Sequence, residues 1–282
     1  AEDQRADDAF EVAKAPRPRL LRRPIAEYAG HSHEVYGVAI SRGNDRFVSC
    51  GGDRVVVLWD VSGVRAIRRF TGHEHRVNAV VLNADASVAI SAGYDKTVRC
   101  WDLRSSSRAP VQVLTDAADS VSSLHVHDTR IMAGSVDGCV RIYDVRAAAL
   151  ATHTVGPPVT CAVMSRDGNC ALACSLDDRL RLLDLTSGQV LATYGGAAAP
   201  GAQRGYKGSN YKLEASLSSD DAHVLAGSED GSVHVWDLVS AEERGMLKGH
   251  TAPVCALDYH PSPSTHAMVT GSHDGSARFW VQ

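Results

Sequence analysis

Three groups of residues bring together a hydroxyl, an imidazole and a carboxylate at a repeated spacing. They are His31, Ser49 and Asp53 with Trp59; His73, Ser91 and Asp95 with Trp101; and His250, Thr270 and Asp274 with Trp280. A hydrolase uses such a set for nucleophilic attack, the imidazole taking the hydroxyl proton and the carboxylate orienting the ring. The pattern argues against that chemistry here. An enzyme needs one exposed, activated hydroxyl beside an oxyanion site, whereas this set recurs three times and each copy ends on an indole N–H. Each Asp is also followed by Arg, Lys or Gly, as in a tight turn. Structural bracing is expected of these residues, and no catalytic residue is expected.

The same aspartates reveal the elements that hold them. Asp53, Asp95, Asp137, Asp177, Asp230 and Asp274 follow one another at 42, 42, 40, 53 and 44 residues. Six positions after each stands a large apolar or aromatic residue: Trp59, Trp101, Tyr143, Leu183, Trp236 and Trp280. A fixed period of about 40 to 45 residues marks a repeat architecture. Between each Asp and its partner the sequence alternates, as in TVRCW, CVRIY and SVHVW, which is the period of a strand. Two apolar runs precede each Asp, as in VNAVVL and SVAIS, and a fourth, as in AIRRF or QVLATY, leads to the next repeat. Polar turns such as SRGND and SRDGN separate them. Each repeat is expected to form four short antiparallel strands, one blade of an all-β propeller.

Composition narrows the function classes. The net charge of −4 over 282 residues gives no broad cationic surface for nucleic acid or anionic lipid. The seven cysteines show no CxxC pair and sit mostly in strand-like runs, as buried hydrophobes of a reducing compartment do. Cys170 and Cys174 would lie on one strand face about 13 Å apart, too far to share a metal ion. No metal site, cofactor or small-molecule substrate is expected. The chain lacks 18 consecutive apolar residues and an apolar signal core at its start, so neither a membrane span nor secretion is expected, and the location is read as cytoplasmic, nuclear or both.

Gly-His pairs at 30–31, 72–73 and 249–250 open three repeats, and each histidine stands 28, 28 or 30 residues before its tryptophan. This Gly-His to Trp-Asp pattern resembles the WD-repeat family across residues 30 to 282. The resemblance implies that the loop histidine, the hydroxyl four before the Asp, the Asp and the Trp form one hydrogen-bonded set. The other three repeats depart from it. Ala117, Pro157 and Ser209 stand near the histidine position, and Ala133, Ala173 and Ala226 replace the hydroxyl. Those blades are expected to depend more on apolar packing and to have more mobile loops. Stretches such as GGDRVVVLWDV, AGSVDGCVRIYD and SEDGSVHVWDLV resemble, more narrowly, the mitogen-activated protein kinase organizer family, WD-repeat scaffolds also associated with spliceosomes. That family implies seven repeats. Only 29 residues precede the first Gly-His, so six blades are expected, or seven if another lies outside this sequence. The run RLLRRPIAEYA is expected to supply the outer strand of the last blade, residues 1–18 to form a polar tail, and residues 19–282 to form one domain. GGAAAPGAQRG, at 195–205, reads as a flexible loop.

Loop chemistry, rather than the fold, carries function in such an architecture. Tyr36, Asn78, Tyr94, Tyr211, Glu229 and His273 are expected on a rim that binds partner proteins. The resemblance implies a non-catalytic scaffold for kinase-cascade or spliceosomal complexes. Two alternatives stand beside it. WDLR and YDVR in neighbouring repeats pair Asp102 with Arg104 and Asp144 with Arg146, an arrangement that resembles substrate receptors of cullin-RING ubiquitin ligases, whose arginines contact the adaptor. A ribonucleoprotein component contacting RNA is the other. Arg99, Arg141, Arg181 and Arg278 recur two residues before the motif partner, but recurrence at one strand position points to stems packed between blades, so direct nucleic-acid contact is not expected.

Overall fold

The computed structural model describes residues 25–196, 205–262 and 265–281, which form two compact units, Leu21–Met164 and Ser165–Gln282. Every regular element among the described residues is a strand, as the alternating apolar pattern requires. In the first unit, Val35–Ile40 (β1), Arg46–Gly51 (β2), Val55–Asp60 (β3) and Arg65–Thr71 (β4) pair in chain order as blade 1. Val77–Leu82 (β5), Val88–Gly93 (β6), Val98–Asp102 (β7) and Gln112–Leu114 (β8) form blade 2 in the same way. Val121–His127 (β9), Arg130–Ser135 (β10), Cys139–Asp144 (β11) and Ala149–Thr154 (β12) form blade 3.

The fourth repeat gives Val159–Met164 (β13) to the first unit and Cys170–Ser175 (β14), Arg179–Asp184 (β15) and Val190–Gly195 (β16) to the second. Blade 5 comprises Ala215–Leu217 (β17), His223–Gly227 (β18), Ser232–Asp237 (β19) and Glu243–Lys248 (β20). Blade 6 has three described strands, Val254–Tyr259 (β21), Ala267–Ser272 (β22) and Ala277–Val281 (β23). The fold is thus the expected all-β, six-bladed propeller class. Residues 1–24, which include the expected tail and most of the expected closing strand, lie outside the described residues, and 25–29 are not in a strand. Residues 197–204 of the long loop also lie outside them.

Within the first unit the boundaries between blades 1, 2 and 3 are sheet-on-sheet cores. Between blades 1 and 2, Val48, Val56, Leu58 and Phe70 meet Val77, Val80, Ala89 and Trp101. Between blades 2 and 3, Ile90, Val98 and Cys100 meet Val121, Leu124, Ile131 and Tyr143. Alternate residues of each strand feed these layers, so the tight turns between strands are the parts left free for recognition.

One feature of the innermost strands was invisible in the sequence. In β1, β5 and β21 the pairing register slips by one residue, between Val35 and Gly37, Val77 and Ala79, and Val254 and Ala256, and β9 slips at its matching place. Each slip is a β-bulge, which leaves one residue unpaired and re-aims its side chain. The residues so placed are Tyr36, Asn78, Ser122 and Cys255.

Candidate functional site

The hydroxyl, imidazole and carboxylate sets form closed chains. His31 Nδ1 lies 2.8 Å from Asp53 Oδ2, its Nε2 lies 2.7 Å from Ser49 Oγ, and the Trp59 indole N–H donates to that Oγ at 2.7 Å. His73, Asp95, Ser91 and Trp101 repeat this at 2.8, 2.7 and 2.8 Å, and His250, Asp274, Thr270 and Trp280 do so at 2.9 Å throughout. An ionised carboxylate only accepts, so Nδ1 carries the proton and donates it. Nε2 then accepts from the hydroxyl, and the hydroxyl accepts from the indole. Burial acts to raise the Asp95 carboxyl, but hydrogen bonds from His73, the Glu74 amide and Thr97 outweigh it and hold the group far below the ordinary range. The Asp53 and Asp274 carboxyls are lowered as well. Ser49, Ser91 and Thr270 are buried, with their hydrogen-bonding capacity used inside the blade.

The Gly-His dipeptide has a steric cause. A Cβ at Gly30 would meet the Trp59 ring at 2.7 Å, and one at Gly72 would meet Arg99 Nη1 at 2.8 Å and the Trp101 ring at 3.2 Å. Only glycine lets the loop lie on the indole while its histidine reaches the hydroxyl.

Blades 3 and 4 add a polar brace of their own to the apolar packing expected of them. Arg141 Nη1 donates to Ser135 Oγ at 2.8 Å, its Nη2 lies 2.8 Å from Asp137 Oδ2, and Ser135 itself donates to Asp137. In blade 4, Arg181 donates to Ser175 Oγ at 2.6 Å and pairs with Asp177, while Ser175 donates to Asp177 at 2.8 Å. An arginine from the third strand therefore stands in for the loop histidine, and a serine two residues nearer the turn stands in for the missing hydroxyl. The recurrent arginines are structural, but through their guanidinium groups and not only their stems. Arg99 likewise approaches Asp95 at 3.6 Å. Arg278, the fourth, is exposed. Blade 5 differs again, since buried His234 stacks on Trp236 at 5.6 Å and donates from Nδ1 to Glu243 at 2.7 Å, with Tyr206 edge-on to the same indole at 5.7 Å. Sequence reasoning missed Tyr206, which occupies no motif position, and His234, which stands two residues before Trp236, where four other repeats carry arginine.

The expected rim residues have different fates. Asn78, on its bulge, donates to Ser120 Oγ at 3.0 Å and to the Val121 carbonyl at 2.8 Å, so its amide links blade 2 to blade 3 and is not spare for a partner. Ser122, on the next bulge, likewise donates to the Val159 carbonyl at 2.6 Å. In the second unit, Glu229 accepts from the Asn210 and Tyr211 amides at 2.6 and 3.2 Å and so holds the loop that carries Tyr211. Exposed Tyr211 meets exposed His273 edge-on at 5.2 Å.

In the first unit, Tyr36 and Tyr94 are exposed and face one arginine that the sequence did not single out. The Arg76 guanidinium carbon lies 5.0 Å from the Tyr94 ring centre and 6.0 Å from that of Tyr36. Gly52, Arg54, His75, Arg76 and Tyr94 line an open cleft of about 540 Å³ at this place. His75 packs edge-on against Tyr94 at 5.8 Å.

Arg104 and Arg146 lie just past the far ends of β7 and β11, away from the turn aspartates. Asp102 Oδ1 accepts from the Arg104 amide at 2.8 Å, and Asp144 Oδ1 accepts from the Arg146 amide at 3.0 Å. Both arginines are exposed, and Arg104 pairs with Asp85 at 2.9 Å. Among the described residues no group of three or more His, Cys, Asp or Glu side chains is placed to hold a metal ion, and no helix is long and apolar enough to cross a membrane.

Comparison with known proteins agrees with this geometry. The profile of the WD domain, G-beta repeat, matches residues 22–60, 65–102, 108–144, 147–184, 211–237 and 241–281. Over 177 residues the chain is 44% identical to WD repeat domain-containing protein 83 of Rattus norvegicus, covering 63% of this chain and 52% of that protein, and the Mus musculus protein matches to the same extent. The chain thus spans about half the length of these curated relatives. An uncharacterized WD repeat-containing protein of Schizosaccharomyces pombe is 40% identical over 247 residues, 87% of this chain and 80% of that protein.

Proposed function

The chain belongs to the WD domain, G-beta repeat family, and on that premise we propose that it is a non-catalytic scaffold that binds partner proteins through the turn-end surface of its blades. One observation carries this reading. The three sets that could have supplied a nucleophile are buried and closed by hydrogen bonds, whereas the polar and aromatic groups around Arg76 stand open beside a cleft. Aromatic residues and arginine are the side chains that dominate protein interfaces. The resemblance to the kinase-organizer family supports kinase-cascade or spliceosomal complexes as the assemblies served. Affinity purification of the tagged chain from its native cell, read by mass spectrometry, tests the reading. Stable recovery of components of one such complex is the expected result, and recovery of the chain alone contradicts it.

A second role has one observation in its favour. Arg104 and Arg146 are presented alike, exposed and each following an Asp-capped turn on adjacent blades. That pairing fits the adaptor contact of a cullin-RING substrate receptor. Co-purification of the adaptor, lost in Arg104→Ala plus Arg146→Ala, supports this role, and its absence from both forms removes it. The RNA-contacting alternative is weakened at three of its four motif arginines, because Arg141 and Arg181 are spent on turn carboxylates and Arg99 faces a third, while Arg278 is exposed.

A further inference from the structure

We propose that Arg76, flanked by Tyr36 and Tyr94 and joined by Arg54 and His75, seats a single acidic side chain, carboxylate or phosphorylated, of a partner polypeptide. The inference rests on the scaffold reading and gives its partner a chemistry. Arg76 touches both tyrosines through ring faces. Such contacts use the cation's attraction to the π cloud and leave guanidinium N–H groups unspent, and these are the groups that hold a carboxylate or phosphate in a forked pair. Neither Arg54 nor Arg76 forms an ion pair among the described residues, whereas Arg99, Arg141 and Arg181 on the blades all face a turn aspartate.

The surroundings hold the site in shape. Arg54 occupies a turn at φ 65° and donates to the Glu74 carbonyl at 3.2 Å. The Arg76 carbonyl accepts from the Tyr94 amide at 2.9 Å, so the cation and the ring it touches share one backbone tie. Gly52 lines the cleft without a side chain, and none of the lining residues is acidic. Tyr36 sits on the bulge matching Asn78 and Ser122, both of which reach to the next blade, and it uses the same placement to approach Arg76. Exposed Glu74 precedes His75, and the Glu34 carboxylate borders the cleft in space, its Oε2 3.3 Å from where a Cβ on Gly52 would stand. They disfavour a long acidic tract and favour one acid between neutral residues.

The test is an NMR titration of the full chain, labelled at arginine side chains and tyrosine rings, with three peptides: acetyl-Gly-Pro-Glu-Pro-Gly-amide, its phosphoserine counterpart and its Gln counterpart. The Arg76 and Tyr94 signals should shift and saturate with one or both acidic peptides and not with Gln, and the two acidic arms identify the preferred group. Arg76→Gln should weaken that binding about tenfold or more while the rest of the spectrum is retained, and Arg54→Gln should weaken it less. An equal response to the Gln peptide, unchanged binding by Arg76→Gln, or no saturable shift at millimolar peptide overturns the proposal. Affinity purification separates its failure from that of the scaffold reading. Partners retained equally by wild type and Arg76→Gln sink the acidic seat alone, and no partners for either sink both.

Discussion

Blades 2 and 3 both fix a turn aspartate, but they tie different parts of the blade together. In blade 2 the brace runs from His73, on the loop entering the blade, through Ser91 on β6 to Trp101 on β7, with Asp95 at the turn. One network thus joins the loop to two strands. In blade 3 the members are Ser135, Asp137 and Arg141, all within the β10–β11 hairpin, and the incoming loop is held at the aspartate by the Ala118 amide, 2.9 Å from Asp137. The hairpin is as firmly tied as in blade 2, and the loop is less so. A degenerate repeat has therefore kept its turn and relaxed its entrance.

The largest predicted effect separates the two networks. Asp95→Ala leaves a fully buried imidazole and the Glu74 amide without their acceptor, and should cost about 3 kcal/mol in urea unfolding. Asp137→Ala should cost about half of that, because Arg141 keeps its hydrogen bond to Ser135. Equal losses would mean that the two braces do the same work.

Acid comes next. Burial acts to raise the Asp137 carboxyl, yet hydrogen bonds from Arg141, Ser135 and the Ala118 amide bring it down to about 2. A carboxyl depressed in the folded state contributes stability that is complete above its ordinary value near pH 4 and is lost as pH falls through the folded value. Asp137→Asn should therefore flatten the decline of the urea midpoint between about pH 4 and 2. A curve parallel to the wild type would refute the ion pair.

Trp101→Phe should cost on the order of 1 kcal/mol beyond the lost area, since Ser91 loses its only indole donor. The smallest effect is local. His73→Ala should speed amide exchange at Glu74, while Arg141→Gln should leave exchange at Ala118 unchanged, because Ala118 is bound to Asp137 and not to the arginine. Faster exchange at Ala118 in that variant would show that the blade 3 brace reaches its loop after all.

The propeller was legible because its signals are local. The Asp-to-partner spacing, the Gly-His pairs and period-two alternation each survive without knowledge of the neighbouring strands. The arginine braces were half legible. Ser135-x-Asp137 with Arg141 and Ser175-x-Asp177 with Arg181 repeat one pattern, and a hydroxyl moved two places along a strand stays on the same face, so Ala133 and Ala173 did not signal a lost network. The bulges at Tyr36 and Asn78 were not legible, because a bulge is a property of two paired strands. For the same reason the aromatic rim could be guessed from Tyr36 and Tyr94, but Arg76, which belongs to no motif, could not.

The hydroxyl, imidazole and carboxylate sets are expected to brace blades and not to react. Incubating the native chain with a fluorophosphonate probe and reading intact mass and labelled peptides tests this most directly. No adduct is expected at Ser49, Ser91 or Thr270, and stoichiometric labelling of any one of them would show a reactive hydroxyl instead of a brace.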